Sequence, residues 1–384
     1  MSVTRGHQTE KLADSTPRPS RVFLNGRYLG QAVTGVQRCA RETIQALDLL
    51  IGAGEYPPSL WKFILLAPPG PWERPVLGGI DVRTVGRLPG QMWEQLELPV
   101  HARGGLLLNF ANTAPLAVRR QCVTIHDASV FAFPSAYSRT FRAWYQILLP
   151  RLGGRVARVL TVSEFSRNEL SRWARIPRQR ISVVHCAGEH ILSVAPDAGV
   201  FRQHGIGSRP YVLAVGSSSP HKNLQGIVQA LEYVGCDDFD VVVAGGRNLR
   251  VFGMEQVSTH RRIRTIGYVT DGQLRALYER AACLVFPSLY EGFGLPPLEA
   301  MACGCAVITS NTTSLPEVCG DGALYCDPRN PRDIAGRISA VLTRPELAAE
   351  LRSRALARSR LFSWEATARA VMKVVQDVGR EDPS

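Results

Sequence analysis

Two carboxylates stand eight positions apart in residues 284–304, LVFPSLYEGFGLPPLEAMACG. Glu291 lies in a loop with Gly292 and Gly294. Glu299 falls in the opening turns of a helix that begins near 296–297, because Pro296 and Pro297 suit a first turn and no deeper position. A glycine-rich loop feeding a helix N-terminus offers N–H groups and partial positive charge to a diphosphate. The prolines donate nothing, so the useful amides are those of Phe293, Gly294 and Leu295. Carboxylates repel phosphate but accept well from pairs of hydroxyls. Glu299 is therefore assigned to ribose hydroxyls and Glu291 to a sugar, and the ligand expected is a nucleotide sugar. Glu299 alone could be a helix-start carboxylate held by the dipole. The coincidence of glycines, prolines and both acids disfavours that reading.

Further candidates follow other apolar runs. Lys222, in GSSSPHKNL after YVLAV, is one of four lysines among 45 basic residues. A compact ammonium there can neutralise a departing diphosphate. His126 closes the run QCVTIH and is expected to face the cleft, although a satisfied core histidine is the plainer alternative. Asp127 could orient it or bind acceptor. Gly35, after Thr34, would let backbone approach the diphosphate from the opposite side. Asn109, Asn112 and Thr113 could line an acceptor site, Tyr137, Arg139 and Arg142 could meet an acceptor phosphate, and Tyr268 could lie against the base. Asp238-Phe239-Asp240 has the letters of a metal-binding D-x-D. It precedes the strand DVVVAGG, at the wrong end of a sheet, so no metal and no other cofactor is expected.

These residues need strands that end where they begin. In the first half RVFLNG, WKFILLAP, GGLLLNF, CVTIHD and RVLTVS read as buried strands. YVLAVGS, DVVVAGG, RIRTIGYV, CLVFPS, CAVITS and ALYCDP repeat the pattern in the second half. Helical stretches separate them, which predicts α/β architecture with two doubly wound parallel sheets. Ligands in such sheets sit beyond the carboxyl ends of the strands, where these candidates fall. The expected division is a disordered polar tail at 1–20, an acceptor-binding Rossmann-like domain at 21–197 and a nucleotide-sugar-binding one at 198–363. A C-terminal helix and tail at 364–384 is expected to cross back to the first domain.

The 384 residues are 45% hydrophobic and 20% charged, enough for two cores. No apolar run is long enough to span a membrane, and the polar first 20 residues do not read as a signal peptide, so a cytoplasmic location is expected. Nine cysteines without a C-x-x-C pair read as reduced core residues. The net charge of +12 is densest in arginines between Arg139 and Arg180. A solvated helical face and a face resting on anionic lipid both fit; nucleic acid does not, since no aromatics interleave for base stacking. A nicotinamide-dependent dehydrogenase is disfavoured, because no G-x-G-x-x-G follows the first strand.

The string E-G-F-G-L-P-P-L-E resembles the E-x7-E signature of retaining glycosyltransferases with the GT-B fold, specifically family 4. VTGVQRCARE, QMWEQLELP, NTAPL, VTIHDASVFAFP, RVLTVSEFS, GSSSPHKNL and IGYVTDGQLRALYERA resemble that family's bacterial polysaccharide-synthesis members, so the resemblance covers nearly the whole chain. It implies two Rossmann-like domains facing across a cleft and a donor-phosphate role for Lys222. It also implies a histidine, here His126, that contacts the transferred sugar or the acceptor. Many members carry an arginine shortly before the lysine. Ser217 stands near that place here, and His221 is the candidate replacement. The family context points to GDP-mannose as donor and to a saccharide acceptor, polyprenyl-diphosphate-linked, at the inner face of the cytoplasmic membrane. A nucleotide-sugar epimerase or hydrolase of related fold, or a non-catalytic basic scaffold, is the alternative.

Overall fold

The computed structural model describes residues 19–217, 219–245 and 261–381. Of the expected tail, 1–18 lies outside the described residues, as does the last glycine of DVVVAGG. Two wholly parallel sheets organise the rest. The first comprises β1 (Ser20–Asn25), β2 (Trp61–Ala67), β3 (Asp81–Thr84), β4 (Leu106–Asn109), β5 (Gln121–Thr124), β6 (Arg158–Thr161) and β7 (Ile181–Val183), in the order β3-β2-β1-β4-β5-β6-β7. The second comprises β8 (Tyr211–Val215), β9 (Asp240–Ala244), β10 (Ile263–Gly267), β11 (Cys283–Phe286), β12 (Val307–Ser310) and β13 (Ala323–Cys326), in the order β10-β9-β8-β11-β12-β13.

Helices cover both faces of each sheet, so the central strands are largely buried and read as near-continuous apolar runs. Leu24, Leu65, Leu107, Leu213 and Leu284 are fully buried. Each sheet reverses its winding once, between β1 and β4 in the first and between β8 and β11 in the second. A crevice opens at such a switch point beyond the carboxyl ends.

The chain passes between the domains twice. After β7 it runs through a tight turn, Glu189–Ser193, on its way to β8. It returns through the helix Trp364–Glu381, which packs on the helix Gly35–Gly52 of the first domain. Val371, Met372 and Val375 are buried in that contact. Thr367 donates to the carbonyl of His185 at 2.7 Å, and Arg369 pairs with Glu55.

Candidate active site at the domain cleft

The loop after β11 is built by hydrogen bonds from its neighbours. Gly294 has φ 110°, and a Cβ there would press to 2.7 Å on Leu315, so the turn into the helix Leu295–Ala302 requires glycine. Pro296 and Pro297 occupy the first turn, and the leading amides stay at the positive end of the helix. Ser314 donates to the carbonyls of Glu291 and Phe293, both at 2.9 Å. Phe293 itself is buried against His185 and Phe362.

A second loop, after β8, is stitched to the first. Asn223 adopts φ 56°, and its amide donates to the carbonyls of Pro287 and Pro328 at 3.0 and 2.7 Å. Leu289 N–H donates to the carbonyl of His221 at 2.7 Å. The result is a close pair across the switch point. Lys222 Nζ lies 2.7 and 3.0 Å from the two oxygens of Glu291. His221 is half-buried, and its Nδ1 has no partner among the described residues. Burial, reinforced by the Lys222 charge, lowers its pKa, so its imidazole is neutral near pH 7. Ser217 is exposed, and so is Tyr268, at 70%.

Glu299 is buried and held on both oxygens. Tyr278 donates its hydroxyl to Oε2 at 3.0 Å, and His190 Nε2 lies 3.1 Å from Oε1. Each carboxylate oxygen keeps a further lone pair for a ligand hydroxyl.

The first domain corrects several expectations. His126 does not aim its ring into the cleft. It lies two residues beyond β5, with its N–H on Asn112 Oδ1 at 2.8 Å and its Nε2 3.0 Å from the carbonyl of Phe110. The ring is thereby turned inward beside Cys39 and Cys186, whose sulfurs are 2.6 Å apart. Burial pushes the Cys39 thiol well above its ordinary range, so it is a neutral core group. Asn109 and Thr113 are also core residues rather than an acceptor lining. Thr113 and Arg27 converge on Glu94, whose Oε1 lies 3.1 Å from the Thr113 hydroxyl and 3.0 Å from Arg27 Nε. Asn25 donates to that same oxygen at 2.8 Å and to Asn109 at 2.9 Å. Glu94 comes from a π-helical turn, Trp93–Glu97, and is 1% exposed. Asn112 is half-buried at φ 63° and is spent on holding His126. Asp127 stays half-buried at the cleft, its Oδ1 accepting from Ser129 N–H at 2.8 Å. Arg139 is exposed at the start of the helix Arg139–Arg155.

The two domains touch through the loop after β11. A Cβ at Gly292 would fall 2.6 Å from the carbonyl oxygen of His126. Ser163 and Ser166 both donate to the Gly292 carbonyl, at 2.6 and 3.0 Å. Tyr290 is buried between Phe133 and Phe165, with ring centroids 5.4 Å away on each side. Glu317 accepts from the amides of Glu164 and Phe165, capping a first-domain helix from the second domain. Arg38 holds both oxygens of Asp271 at 2.6 Å. A Cβ on Gly35 would meet Leu295 at an ordinary 3.5 Å. None of Asn223, Tyr290, Glu317, Arg38 or His190 was expected from the sequence. Asn223, directly after Lys222 before a helix, is the one with a local signal.

Asp238 and Asp240 pair with Arg209 at 3.0 and 3.4 Å, at the amino end of β9.

Comparison with known proteins agrees with this geometry. Residues 200–358 match the family described as Glycosyl transferases group 1, and residues 99–187 match Glycosyltransferase Family 4. O-antigen chain mannosyltransferase B of Escherichia coli is 34% identical over 65% of this chain and 68% of its own length. The chain belongs to glycosyltransferase family 4. O-antigen chain mannosyltransferase RfbU of Salmonella typhimurium is 29% identical over 61% of this glycosyltransferase, which spans 64% of that relative. Solved structures of similar fold include sucrose-phosphate synthase from Thermosynechococcus elongatus, with TM-score 0.70 and 18% identity, covering 95% of this chain and 100% of that one. WaaG, a glycosyltransferase involved in lipopolysaccharide biosynthesis, has TM-score 0.67 and 12% identity over 92% of this chain and 99% of its own. The fold is accordingly GT-B. Among the described residues no helix is long and apolar enough to cross a membrane.

Proposed function

We propose that this glycosyltransferase moves mannose from GDP-mannose, with retention of anomeric configuration and without a metal, onto a hydroxyl of a polyprenyl-diphosphate-linked saccharide in surface polysaccharide synthesis. The observation that carries the reading is the Lys222–Glu291 pair at the β8/β11 switch point, beside the start of the helix Leu295–Ala302. A diphosphate there meets an ammonium and a helix N-terminus, which stabilise the charge that develops as the anomeric carbon–oxygen bond breaks. Glu291 accepts from the sugar hydroxyls and Glu299 from the ribose. His221 adds a donor to the phosphate in place of the absent arginine. The acceptor oxygen bonds to the anomeric carbon on the face the phosphate leaves, and its proton passes to the departing phosphate oxygen. The transition state resembles an oxocarbenium ion, as in glycoside hydrolysis. The closed loop contacts exclude water, which would otherwise compete as acceptor.

Mannose is supported by the two O-antigen mannosyltransferase relatives named above. A lipid-carried acceptor is supported by the helix Arg139–Arg155. Its exposed face carries Trp144 and Ile147 alongside Arg139, Arg151 and Arg155, apolar and cationic groups suited to an anionic membrane. That surface would keep the enzyme at the inner face of the cytoplasmic membrane.

The test is a thermal-shift titration with GDP-, UDP-, ADP- and dTDP-sugars, with and without EDTA. GDP-mannose should raise the melting temperature in both conditions, and the rise should vanish in Glu299→Ala. Loss of the shift with EDTA would remove the metal-free mechanism. Absence of any shift at about millimolar ligand would remove the donor assignment.

A further inference from the structure

Glu299 is the end of a hydrogen-bonded chain that begins outside its own domain. Trp364 Nε1 lies 3.2 Å from His190 Nδ1, and His190 Nε2 lies 3.1 Å from Glu299 Oε1. All three residues are buried. An indole N–H can only donate, so His190 Nδ1 must accept, and the ring proton resides on Nε2. Nε2–H therefore points at the carboxylate. Tyr278 fixes the other oxygen at 3.0 Å. The carboxylate is thus held in one orientation by donors on two sides.

The origin of these donors is unusual for a donor site. His190 belongs to the turn Glu189–Ser193, in the first passage between domains. Trp364 opens the helix Trp364–Glu381, at the second passage. The two passages are tied together there, since Glu189 also accepts from the Trp364 N–H. Immediately before the turn, a Cβ on Gly188 would fall 2.8 Å from Glu299 N, so this segment lies directly on the helix that carries Glu299.

We propose that His190, with its tautomer locked by Trp364, is a positioning residue that fixes the Glu299 carboxylate for a ribose 2′,3′-diol. It touches no reacting atom. It rests on the reading that Glu299 takes the ribose hydroxyls, and it ties donor recognition to the arrangement of the two interdomain passages.

The experiment measures binding of GDP, UDP and ADP, each beside its 2′,3′-dideoxy counterpart, by calorimetry on the full chain. The variants are His190→Leu, His190→Gln, Trp364→Phe and Glu299→Ala. For the nucleotide that binds, His190→Leu should lose about tenfold in affinity, the scale of one hydrogen bond to a charged group. The dideoxy counterpart should bind the variant and the wild type equally. Glutamine can place an amide N–H where Nε2–H stood, so His190→Gln should stay within about threefold of wild type. Trp364→Phe keeps an aromatic ring but lacks the indole N–H, which frees the tautomer, so it should show the same diol-dependent loss, though smaller. A His190→Leu loss equal for both nucleotides would mark a merely structural residue and overturn the proposal, as would no loss at all. The foundation is read separately. If wild type does not distinguish ribo from dideoxy, or Glu299→Ala binds both unchanged, or no nucleotide binds, the ribose assignment itself falls and the proposal with it.

Discussion

Replacing Glu291 with glutamine separates its observed role, partner of Lys222, from its proposed one, ligand of the sugar. In the free protein the ammonium is neutralised at 2.7 and 3.0 Å by a carboxylate that is only 9% exposed. A nucleoside diphosphate must compete for that ammonium and also approach the carboxylate. Both terms act against the diphosphate, and Glu291→Gln removes both while keeping size and hydrogen-bonding atoms. Two unit charges 4 Å apart interact by about 4 kcal/mol at an effective dielectric of ~20. Lys222 is 19% exposed on its side chain, so solvent screens much of this. About 1 kcal/mol is the reasonable remainder, or roughly fivefold in affinity. GDP should therefore bind Glu291→Gln about fivefold more tightly than wild type. Transfer from the nucleotide sugar should instead fall by about a hundredfold or more, as a sugar contact made in the transition state is weakened. Calorimetry with GDP and steady-state transfer assays read the two quantities. Unchanged or weaker GDP binding would refute Lys222 as the phosphate cation.

Gly292→Ala places a Cβ 2.6 Å from the His126 carbonyl and 2.9 Å from Asp127 Cβ, so the donor loop must withdraw from the first domain. Turnover should fall by about a hundredfold, the usual cost of ångström-scale misplacement, with little change in melting temperature; wild-type turnover would contradict the closed arrangement. Arg27→Leu strands the buried Glu94 and should cost about 3 kcal/mol in urea denaturation, whereas Arg27→Leu/Glu94→Leu should cost clearly less. Equal losses would mean the pair does not act as a unit. The lowered pKa of His221 sets a pH slope. As pH falls below about 6.5, the unfolded imidazole takes a proton that the folded one resists, so stability declines. Denaturation midpoints across that window should fall in wild type and flatten in His221→Gln, and a slope of opposite sign would reject the assigned cause.

Much of the architecture could be read locally because parallel strands buried on both faces are near-continuous apolar runs. β2, β4, β6 and all six strands of the second sheet lie within strings recognisable as strands, and β1 and β5 start one residue before theirs. The two outer strands of the first sheet were not recognised. β3 is Asp-Val-Arg-Thr with one buried residue, and β7 has three residues. At these two edges the strand is too short and too poor in apolar residues to leave such a run, whereas the outer strands β10 and β13 of the second sheet keep one. The donor loop was equally legible, since Gly294, Pro296 and Pro297 constrain backbone by their own chemistry.

Side-chain direction was not legible. A residue past a strand end is no longer bound by the alternation within it, so the place of His126 after β5 left its ring free to turn toward Cys39 and Cys186. Asn109 ends β4 but is consumed by neighbours brought from β1 and β5. The pairing of Lys222 with Glu291 spans 69 positions, and that of Trp364 with His190 spans 174. The sequence by itself determined which backbone segments form strands, turns and helix starts, because those preferences reside in a few consecutive residues. Only the tertiary structure decided which polar groups face the cleft and which satisfy one another in the interior, because each buried donor must find an acceptor wherever the packing of distant segments supplies it.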